Sequence, residues 1–339
     1  MTMYPWHAAA WDQLQQLRAR MPHAILFHGP AGTGKADFIE SFAQALLCEN
    51  PRPDGHACAA CASCGWFAQH NHPDYRRVRP EALEDEPPAE GDEGDGERKS
   101  KSTKPSKEIK IEQIRNLADF MNISTHRQGL RVVVLYPAEA LNMPASNALL
   151  KTLEEPPPGT VFLLSSNSLD RLLPTILSRC RKFALPLPSH DEALAWLGAQ
   201  GVQEADSWLR EQGGAPLAAL AESGNGSRDD LEALLQCLAR PATDGALRCA
   251  EKLAKAELPA LVSWTQRWLY DVFSYKLSGN IRYYPRYRKE LAALAGRAPA
   301  ASLLRAIKAM NERRAVADHP LSAKLFVEDM LLEYTACFT

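Results

Sequence analysis

The sequence lacks a membrane-spanning apolar segment, a secretory signal and the excess of basic residues that favours binding to nucleic acid. No apolar run among its 339 residues approaches the ~18 residues of a membrane-spanning helix. The stretch from Met1 to His7 has no basic segment followed by an apolar one, as a secretory signal requires. The formal net charge is -2, so no overall basic field favours nucleic acid. We therefore expect a cytoplasmic protein that meets DNA only through a local patch or through partner proteins.

A single hydrophobic core rarely supports a chain of this length, so we expect more than one domain. Near-continuous apolar strands, alternating with helices, are predicted at 24–27, 131–136, 161–165 and 181–187. This pattern indicates a parallel sheet covered on both faces. After Pro188 the strand signals disappear and the chain is rich in Ala and Leu. The sequence predicts an α/β domain at 1–187, a small helical domain at 188–240 and an all-α domain at 241–339.

Aromatic residues are absent between Tyr75 and Phe120, and from Glu81 to Lys107 acids give way to bases amid Pro and Gly. Such a stretch buries too little apolar area to offset the entropy of ordering it. We predict a disordered insertion over about 81–107. A charged docking tail is the alternative, although charge runs usually form solvated surface.

A phosphate-binding loop is present but lacks its metal ligand. The loop joins the predicted strand at 24–27 to a helix predicted at 36–47. Its backbone N–H groups would cradle phosphates, and its lysine would neutralise their charge. The residues that carry this pattern are Gly29, Gly32, Gly34 and Lys35. The next position, where a Ser or Thr hydroxyl should hold Mg²⁺, is Ala36. The site is degenerate, and nucleotide occupancy stays an open question.

A second ATPase element is also missing. Active P-loop ATPases carry an acid at the end of an apolar strand to bind Mg²⁺ and activate water. Here the strand at 131–136 ends in Tyr136-Pro137, and Glu139 is predicted to be an exposed residue at a helix entry. Loss of both elements argues against intrinsic ATPase activity. The rival is an ATPase that turns over with Lys35 and an unconventional Mg²⁺ site.

Four of the eight cysteines have metal-site spacing. Cys58, Cys61 and Cys64 are separated by two-residue gaps, and Cys48 lies upstream. A reducing compartment disfavours disulfides, and Zn²⁺ accepts four thiolates from short loops. We predict a structural zinc site; free thiols are the alternative. A nearby histidine could replace Cys48, the candidates being His56, His70 and His72. Cys180, Cys237, Cys249 and Cys337 are scattered and predicted to pack in cores.

The order of these motifs resembles the bacterial sliding-clamp loader subunits of DNA polymerase III, which are AAA+ proteins. The resemblance rests on the P-loop, the cysteine insertion and four further motifs, namely His72-Pro73-Asp74-Tyr75, 147–157 (NALLKTLEEPP), 175–180 (TILSRC) and His319-Pro320-Leu321. The broken ATPase motifs make the chain more similar to the non-hydrolysing delta-prime branch than to the gamma/tau branch.

The resemblance implies an architecture and partners. The α/β domain would be an AAA+ domain with a zinc insertion, the small helical domain a lid, and the all-α domain a collar that joins five subunits. The implied partners are gamma/tau and delta subunits in a hetero-pentamer and, through it, the sliding clamp and primed DNA. The implied role is clamp loading within a DNA-directed DNA polymerase holoenzyme. Asn167 would lie where AAA+ proteins sense the γ-phosphate, and Pro216 would replace an arginine of the lid.

In the motif at 175–180 the resemblance implies that Arg179 is an arginine finger, acting in trans on ATP held by the next subunit. A planar guanidinium can stabilise charge developing on a transferred phosphoryl group. An ordinary exposed arginine at the end of a short helix is the alternative that the local sequence alone would favour.

Cations and aromatic rings interleave between Arg267 and Lys289. Such a pattern occurs on surfaces that stack bases and neutralise phosphates. It equally fits aromatic packing between helices beside a solvated basic loop. A zinc-dependent nucleic-acid-binding module is therefore kept as a further alternative function.

Overall fold

The computed structural model describes residues 3–84, 105–122, 125, 129–224, 226–317 and 322–338. The chain forms two compact units, Met1–Pro188 and Ser189–Thr339. The first unit contains a five-stranded sheet, and every secondary-structure element described in the second unit is a helix. No helix in the described ranges is both long enough and apolar enough to cross a membrane.

The sheet of the first unit is parallel, with strand order β2-β3-β4-β1-β5. The strands are β1 (Ala24–His28), β2 (Tyr75–Val78), β3 (Arg131–Leu135), β4 (Thr160–Ser166) and β5 (Arg181–Ala184). The accompanying helices are α1 (Ala8–Leu17), α2 (Lys35–Leu47), α3 (Ala62–Ala68), α4 (Ile111–Asn122), α5 (Met143–Glu154) and α6 (Pro174–Arg179). The predicted α/β fold with a parallel sheet is confirmed.

Both faces of the sheet are covered because successive strand residues point to opposite sides. Ile25 and Phe27 pack with rings from α1 and α2, whereas Ala24 and Leu26 pack with the apolar faces of α4, α5 and α6. These strand residues are at most 1% exposed. The near-continuous apolar strands therefore serve two cores.

Strand β2 was not predicted from the sequence. It is a short edge strand in which Tyr75 and Val78 are buried, while Arg76 and Arg77 between them remove any apolar run. Strand β5 is shorter than predicted. It ends at Ala184 because Pro186 has no N–H to continue the ladder.

Helix α5 begins two residues before the predicted start at 145. The Asn142 side chain accepts a hydrogen bond from the Ala145 N–H at 2.9 Å and so caps the first turn. Pro144 lies in the first turn, where its missing N–H costs nothing. The helix ends before Pro156, as predicted.

The two flanks of the predicted insertion contact each other. The Ser106 N–H donates to Glu81 Oε2 at 3.1 Å, and the Ala82 N–H donates to the Ser106 carbonyl at 3.0 Å. Lys110 pairs with Glu81 at 2.8 Å. The segment 85–104, which carries most of the prediction, lies outside the described residues, as does the motif at 319–321.

The second unit contains two separate apolar clusters. The first is built by α7 (His190–Ala199), α8 (Ala205–Glu211) and α9 (Pro216–Gly224). The second is built by α10 (Arg228–Ala239), α11 (Thr243–Lys252), α12 (Leu258–Ser278), α13 (Arg288–Arg297), α14 (Ala300–Val316) and α15 (Ala323–Thr335). Helix α10, which the sequence assigns to the small domain, packs with the later helices. The division into lid and collar stays a prediction.

Candidate functional site

The phosphate-binding loop connects β1 to α2, the context that such a loop requires. Gly29 is required by close packing, since a Cβ there would lie 2.0 Å from the Leu185 carbonyl oxygen. Gly34 has φ +81°, a left-handed conformation that favours glycine, and it immediately precedes α2. The loop therefore has the backbone of a phosphate cradle.

Lys35 is turned onto this loop. Its side chain is buried, the residue being 5% exposed, and Nζ donates a hydrogen bond to the Pro30 carbonyl oxygen. Burial lowers the pKa of Lys35 to about 8, and the negative charge of Glu139 opposes that shift. Thr33 Oγ1 donates to the same carbonyl at 3.1 Å. The Lys35 ammonium group is therefore hydrogen-bonded to the backbone of its own loop.

Aromatic residues near the N-terminus cover the loop, which sequence reasoning missed. The Trp6 Nε1–H donates to the Thr33 carbonyl at 2.9 Å, and the Tyr4 hydroxyl donates to Asp37 Oδ2 at 3.1 Å. The Tyr4 and Trp6 rings stack with centroids 5.0 Å apart. Burial lowers the pKa of the neighbouring His7 to about 4. No periodicity in the sequence signals these contacts, because they join positions about 30 residues apart.

Tyr136, the residue at the second ATPase position, packs against the core. Tyr136, directly after β3, donates its hydroxyl to Glu40 Oε1 at 3.2 Å, and Tyr75 donates to Glu40 Oε2. Glu40 lies on α2 and is 4% exposed. Burial raises the pKa of Glu40, against the two phenol hydrogen bonds that favour its ionised form. Two tyrosines bound to the buried Glu40 carboxylate therefore stand where an ATPase would present its acid.

The prediction that Glu139 is exposed was wrong. The residue is half-buried, and its Oε1 accepts a hydrogen bond from the Asn167 N–H at 3.0 Å. Its Oε2 is buried and has no hydrogen-bond partner within the described part of the chain. Its charge also acts on Lys35. The structure thus associates Lys35, Glu139 and Asn167, although no sequence pattern pairs Glu139 with the loop.

The four predicted cysteine ligands come together. The sulfur atoms of Cys48, Cys58, Cys61 and Cys64 all lie within 4.8 Å of one another. Two of the sulfur pairs, Cys48 with Cys61 and Cys58 with Cys64, are 4.0 Å apart. Tetrahedral zinc with Zn–S bonds of ~2.3 Å places its sulfurs about 3.8 Å apart. The cluster can therefore hold a metal ion of this kind.

Backbone N–H groups point at the sulfurs, as expected where thiolates are stabilised. Cys58 Sγ accepts from the N–H groups of Ala60 at 3.4 Å and Cys61 at 3.3 Å, and these bonds lower the pKa of Cys58 to about 6. Burial raises the pKa of the Cys48 thiol. The negative charge of several neighbouring thiolates would require a cation to compensate it.

Two of the three histidines proposed as substitute ligands have other side-chain contacts. His72 shares a hydrogen bond with Ser63 Oγ at 2.8 Å through Nε2 and accepts the Asp74 N–H at 3.0 Å through Nδ1. His56 stacks on Trp11 with ring centroids 4.0 Å apart. His70 is exposed in a left-handed conformation with φ 57°. The structure places Cys48, rather than one of these histidines, beside the other three cysteines.

Arg179 ends helix α6 with its side chain 32% exposed. Nη2 pairs with Glu154 Oε1 at 2.5 Å, and Nη1 donates to the Thr175 carbonyl at 2.9 Å and to Ser178 Oγ at 3.3 Å. The following residue, Cys180, is buried, as predicted, and burial raises the pKa of its thiol to about 11. The guanidinium is therefore fixed at the rim of the first unit but still reaches solvent.

Several basic residues of the stretch 267–289 make contacts within the second unit. Arg267 donates to Gln212 Oε1 at 3.0 Å, and Arg282 donates to the Gly213 carbonyl at 3.3 Å. Arg286 pairs with Glu232 at 2.5 Å and with the buried Glu211 at 3.3 Å. Of the rings, Trp268 and Tyr284 are at most 1% exposed, whereas Tyr270 is 45% exposed. These contacts favour aromatic packing over a DNA-binding surface.

A parallel sheet of this order, with a glycine loop between β1 and α2, defines an AAA+ type of P-loop domain. Its Mg²⁺ and water-activating positions are replaced, so the class is that of a degenerate P-loop protein followed by a helical region. The family model described as "DNA polymerase III, delta subunit" matches residues 6–189, and its C-terminal counterpart matches residues 227–335. The chain belongs to this DNA polymerase III subunit family.

Two relatives in sequence agree with the family match. The chain is 37% identical to the DNA polymerase III subunit delta' of Pseudomonas aeruginosa over 81% of this chain and 79% of that protein. It is 31% identical to the subunit delta' of Escherichia coli over 80% of this chain and 76% of that protein. A gamma subunit-related protein of DNA polymerase III from Thermotoga maritima aligns in structure over 97% of this chain and 99% of its own, with 17% identity and a TM-score of 0.43.

Proposed function

We propose that the chain is a clamp-loader subunit of DNA polymerase III that does not hydrolyse ATP and lends Arg179 to ATP held by a neighbouring subunit. One observation carries the proposal. The phosphate loop keeps its backbone but has a methyl group at Ala36, and the acid of the adjacent strand is replaced by Tyr136, while the Arg179 guanidinium reaches solvent.

The loss of the two Mg²⁺-binding groups matters because phosphoryl transfer is catalysed mainly by positioning and by electrostatic stabilisation of the transition state. Mg²⁺ bridges the β- and γ-phosphates and neutralises the charge that develops in the transition state, and an acid helps to hold it. A methyl group and a phenol bound to Glu40 offer Mg²⁺ no ligand in those two places. The chain therefore supplies a fixed scaffold rather than a second active site.

A guanidinium supplied in trans makes hydrolysis depend on assembly. An arginine finger is worth roughly 10³ to 10⁵ in rate in well-studied systems. Its five N–H donors and permanent charge suit the oxygens of a transferring phosphoryl group. Arg179 fulfils the chemical requirement, since its carbonyl and hydroxyl contacts leave N–H groups available.

The proposed partners are gamma/tau and delta subunits in a hetero-pentamer and, through that complex, the sliding clamp and primed DNA. The matched relatives carry the name of such a subunit. Apolar side chains that a partner could cover are available on the C-terminal helices. Leu277, Leu304 and Leu325 are 67%, 52% and 64% exposed on α12, α14 and α15. We propose that these helices form the collar, and the packing of α10 favours a boundary with the lid near residue 226.

We further propose that the cysteine cluster holds one zinc ion with a structural role. Cys48, Cys58, Cys61 and Cys64 would be its ligands, and a full set of four thiolates leaves no position for substrate. When bound, the ion would supply a closed cross-link and no reaction chemistry. Its site adjoins the loop that stacks His56 on Trp11 of α1.

Reconstitution with the other clamp-loader subunits tests the finger. We expect Arg179→Ala to leave assembly intact and to lower the ATPase rate stimulated by clamp and primed DNA by at least tenfold, and Arg179→Lys to restore little of it, because an ammonium lacks the planar fork. Arg171→Ala, which changes an exposed arginine after β4, is the matched control. An unchanged rate for the Arg179→Ala complex would refute the finger role.

The second candidate is residual nucleotide binding by the degenerate loop. The half-buried carboxylate of Glu139 and the buried Lys35 favour it, since together they place both charges of a modified site beside the cradle. Calorimetric titration of the isolated chain with ATP, with and without Mg²⁺, tests this candidate. Binding that Glu139→Gln weakens only in the presence of Mg²⁺ would support it, and no heat of binding would remove it.

A further inference from the structure

The contacts of Arg179 come from two different sources. Thr175 and Ser178 belong to its own helix and bind only Nη1. Glu154, the last residue of α5, binds Nη2 at 2.5 Å. Among the residues that the structure describes, it is the one contact from another element. The orientation of the outer guanidinium nitrogen therefore depends on α5.

Helix α5, which carries Glu154, is anchored in the hydrophobic core. Leu149 and Leu153 are at most 1% exposed and anchor the helix in the core between sheet and α4. The helix ends at Glu154 because prolines follow at 156–158 and cannot continue it. A carboxylate in the last turn is thus held at a defined point on the rim of the first unit.

The ion pair with Glu154 leaves part of the Arg179 guanidinium able to bind a phosphate. A guanidinium has five N–H donors, and three are engaged by Glu154, the Thr175 carbonyl and Ser178 Oγ. Within the described part of the chain, one hydrogen on Nη2 and the hydrogen on Nε remain unbonded, and they can meet two oxygens of a phosphoryl group. A contact that fixes the arginine before the reaction removes its rotamer freedom in advance, so it speeds the reaction that uses the side chain.

We propose that Glu154 is a positioning residue for Arg179: through Oε1 it orients the guanidinium for the ATP of the neighbouring subunit. This inference rests on the finger role proposed above. Glu154 would thus affect catalysis by another subunit through Arg179, without touching the substrate itself.

The pair contributes little to folding, which makes the inference testable. The side chains of Arg179 and Glu154 are 32% and 48% exposed. Exposed ion pairs of this kind have small effects on stability, and solvent screens them. Substitution of Glu154 should therefore leave the melting temperature and the assembly of the complex unchanged.

The experiment measures kcat and KM for ATP in the reconstituted clamp loader with primed DNA and clamp. We expect Glu154→Ala to lower kcat roughly three- to tenfold with little change in KM, since positioning acts in the transition state. Glu154→Gln should restore most of kcat because its amide oxygen still accepts from Nη2. Glu155→Ala, at the next exposed acid, is the matched control and should behave as the wild type.

Non-additivity completes the test. In the Arg179→Ala background, Glu154→Ala should have no further effect on kcat. A wild-type or higher kcat for Glu154→Ala, with Arg179→Ala still slow, would overturn the positioning role but leave the finger intact. A normal rate for Arg179→Ala would instead refute the proposed function itself. A further loss in the double variant would also contradict the inference, because Glu154 would then act independently of Arg179.

Discussion

The Tyr136 hydroxyl donates a hydrogen bond to Glu40 Oε1, 3.2 Å away, and so joins the end of β3 to the helix that follows the phosphate loop. In an ATPase these two elements hold Mg²⁺ between them. In this chain they are joined by a partly buried hydrogen bond. The loss of metal ligands is thus accompanied by a replacement contact that stabilises the domain without nucleotide.

The Glu40 contact gives the stability of the chain a definite dependence on pH. Burial raises the folded-state pKa of Glu40 above its ordinary value of 4.5. Its contribution to stability is therefore present in full below pH 4.5 and is lost as the pH rises through the raised pKa. We expect the unfolding free energy of the wild type, relative to Glu40→Gln, to fall over this range.

Urea unfolding at a series of pH values measures this difference. Glu112→Gln, a change at an exposed acid on α4, provides the control. A wild-type minus Glu40→Gln difference that rises with pH would show that the sign of the effect is wrong.

A Cβ at Gly34 would disrupt the covered phosphate loop. It would lie 2.3 Å from the Tyr4 ring, at a backbone φ of +81°. We expect Gly34→Ala to lower the unfolding free energy by about 1–3 kcal/mol, because strain and the displaced ring add. Gly296→Ala is the matched control, since it lies in α13 with nothing within 4 Å of its Cβ. That change should stabilise the chain by roughly 0.5–1 kcal/mol. Equal effects of the two changes on urea unfolding would contradict the proposed packing.

The buried Glu211 is predicted to hold the two parts of the second unit together. It pairs with Arg228 at 2.7 Å and with Arg286 at 3.3 Å and is 2% exposed. Glu211→Gln removes the buried charge that Arg228 and Arg286 share, whereas Glu232 still faces both guanidinium groups, so we expect a loss of roughly 1–3 kcal/mol in unfolding free energy. Glu204→Gln is the control, because that side chain is 73% exposed and 3.8 Å from Arg228. A loss below about 1 kcal/mol for Glu211→Gln would mean that solvent already screens the network.

The cysteine cluster is predicted to contain one zinc ion per chain. We expect Cys58→Ser with Cys61→Ser to abolish bound zinc in elemental analysis and to make the loop between α2 and α3 sensitive to proteolysis, because a closed metal site fixes that loop. Cys337→Ser, at a half-buried cysteine remote in sequence, should keep the metal. A folded, protease-resistant chain that contains no zinc would refute the assignment.

Much of the fold could be predicted because its strands are continuous apolar runs and its loop residues have fixed spacing. The four cysteines were found from spacing alone, and the structure brings them together. Strand β2 was missed because arginines occupy its two central positions. Edge strands of this kind carry little periodic signal.

The surroundings of the site could not be predicted, because they arise from tertiary contacts. Tyr4 and Trp6 reach the loop from a separate segment, and Glu139 is turned inward by the Asn167 N–H. The arginines between 267 and 289 look like a nucleic-acid surface in sequence. Three of them contact Gln212, Gly213 and Glu211, which lie more than 50 residues away and give these cations a role within the second unit.

ATP turnover by the isolated chain in the presence of Mg²⁺ tests the central claim most directly. The account predicts a rate indistinguishable from that of Lys35→Ala, because neither Ala36 nor Tyr136 offers a ligand for Mg²⁺. Catalytic hydrolysis by the pure wild-type chain that Lys35→Ala abolishes would contradict it.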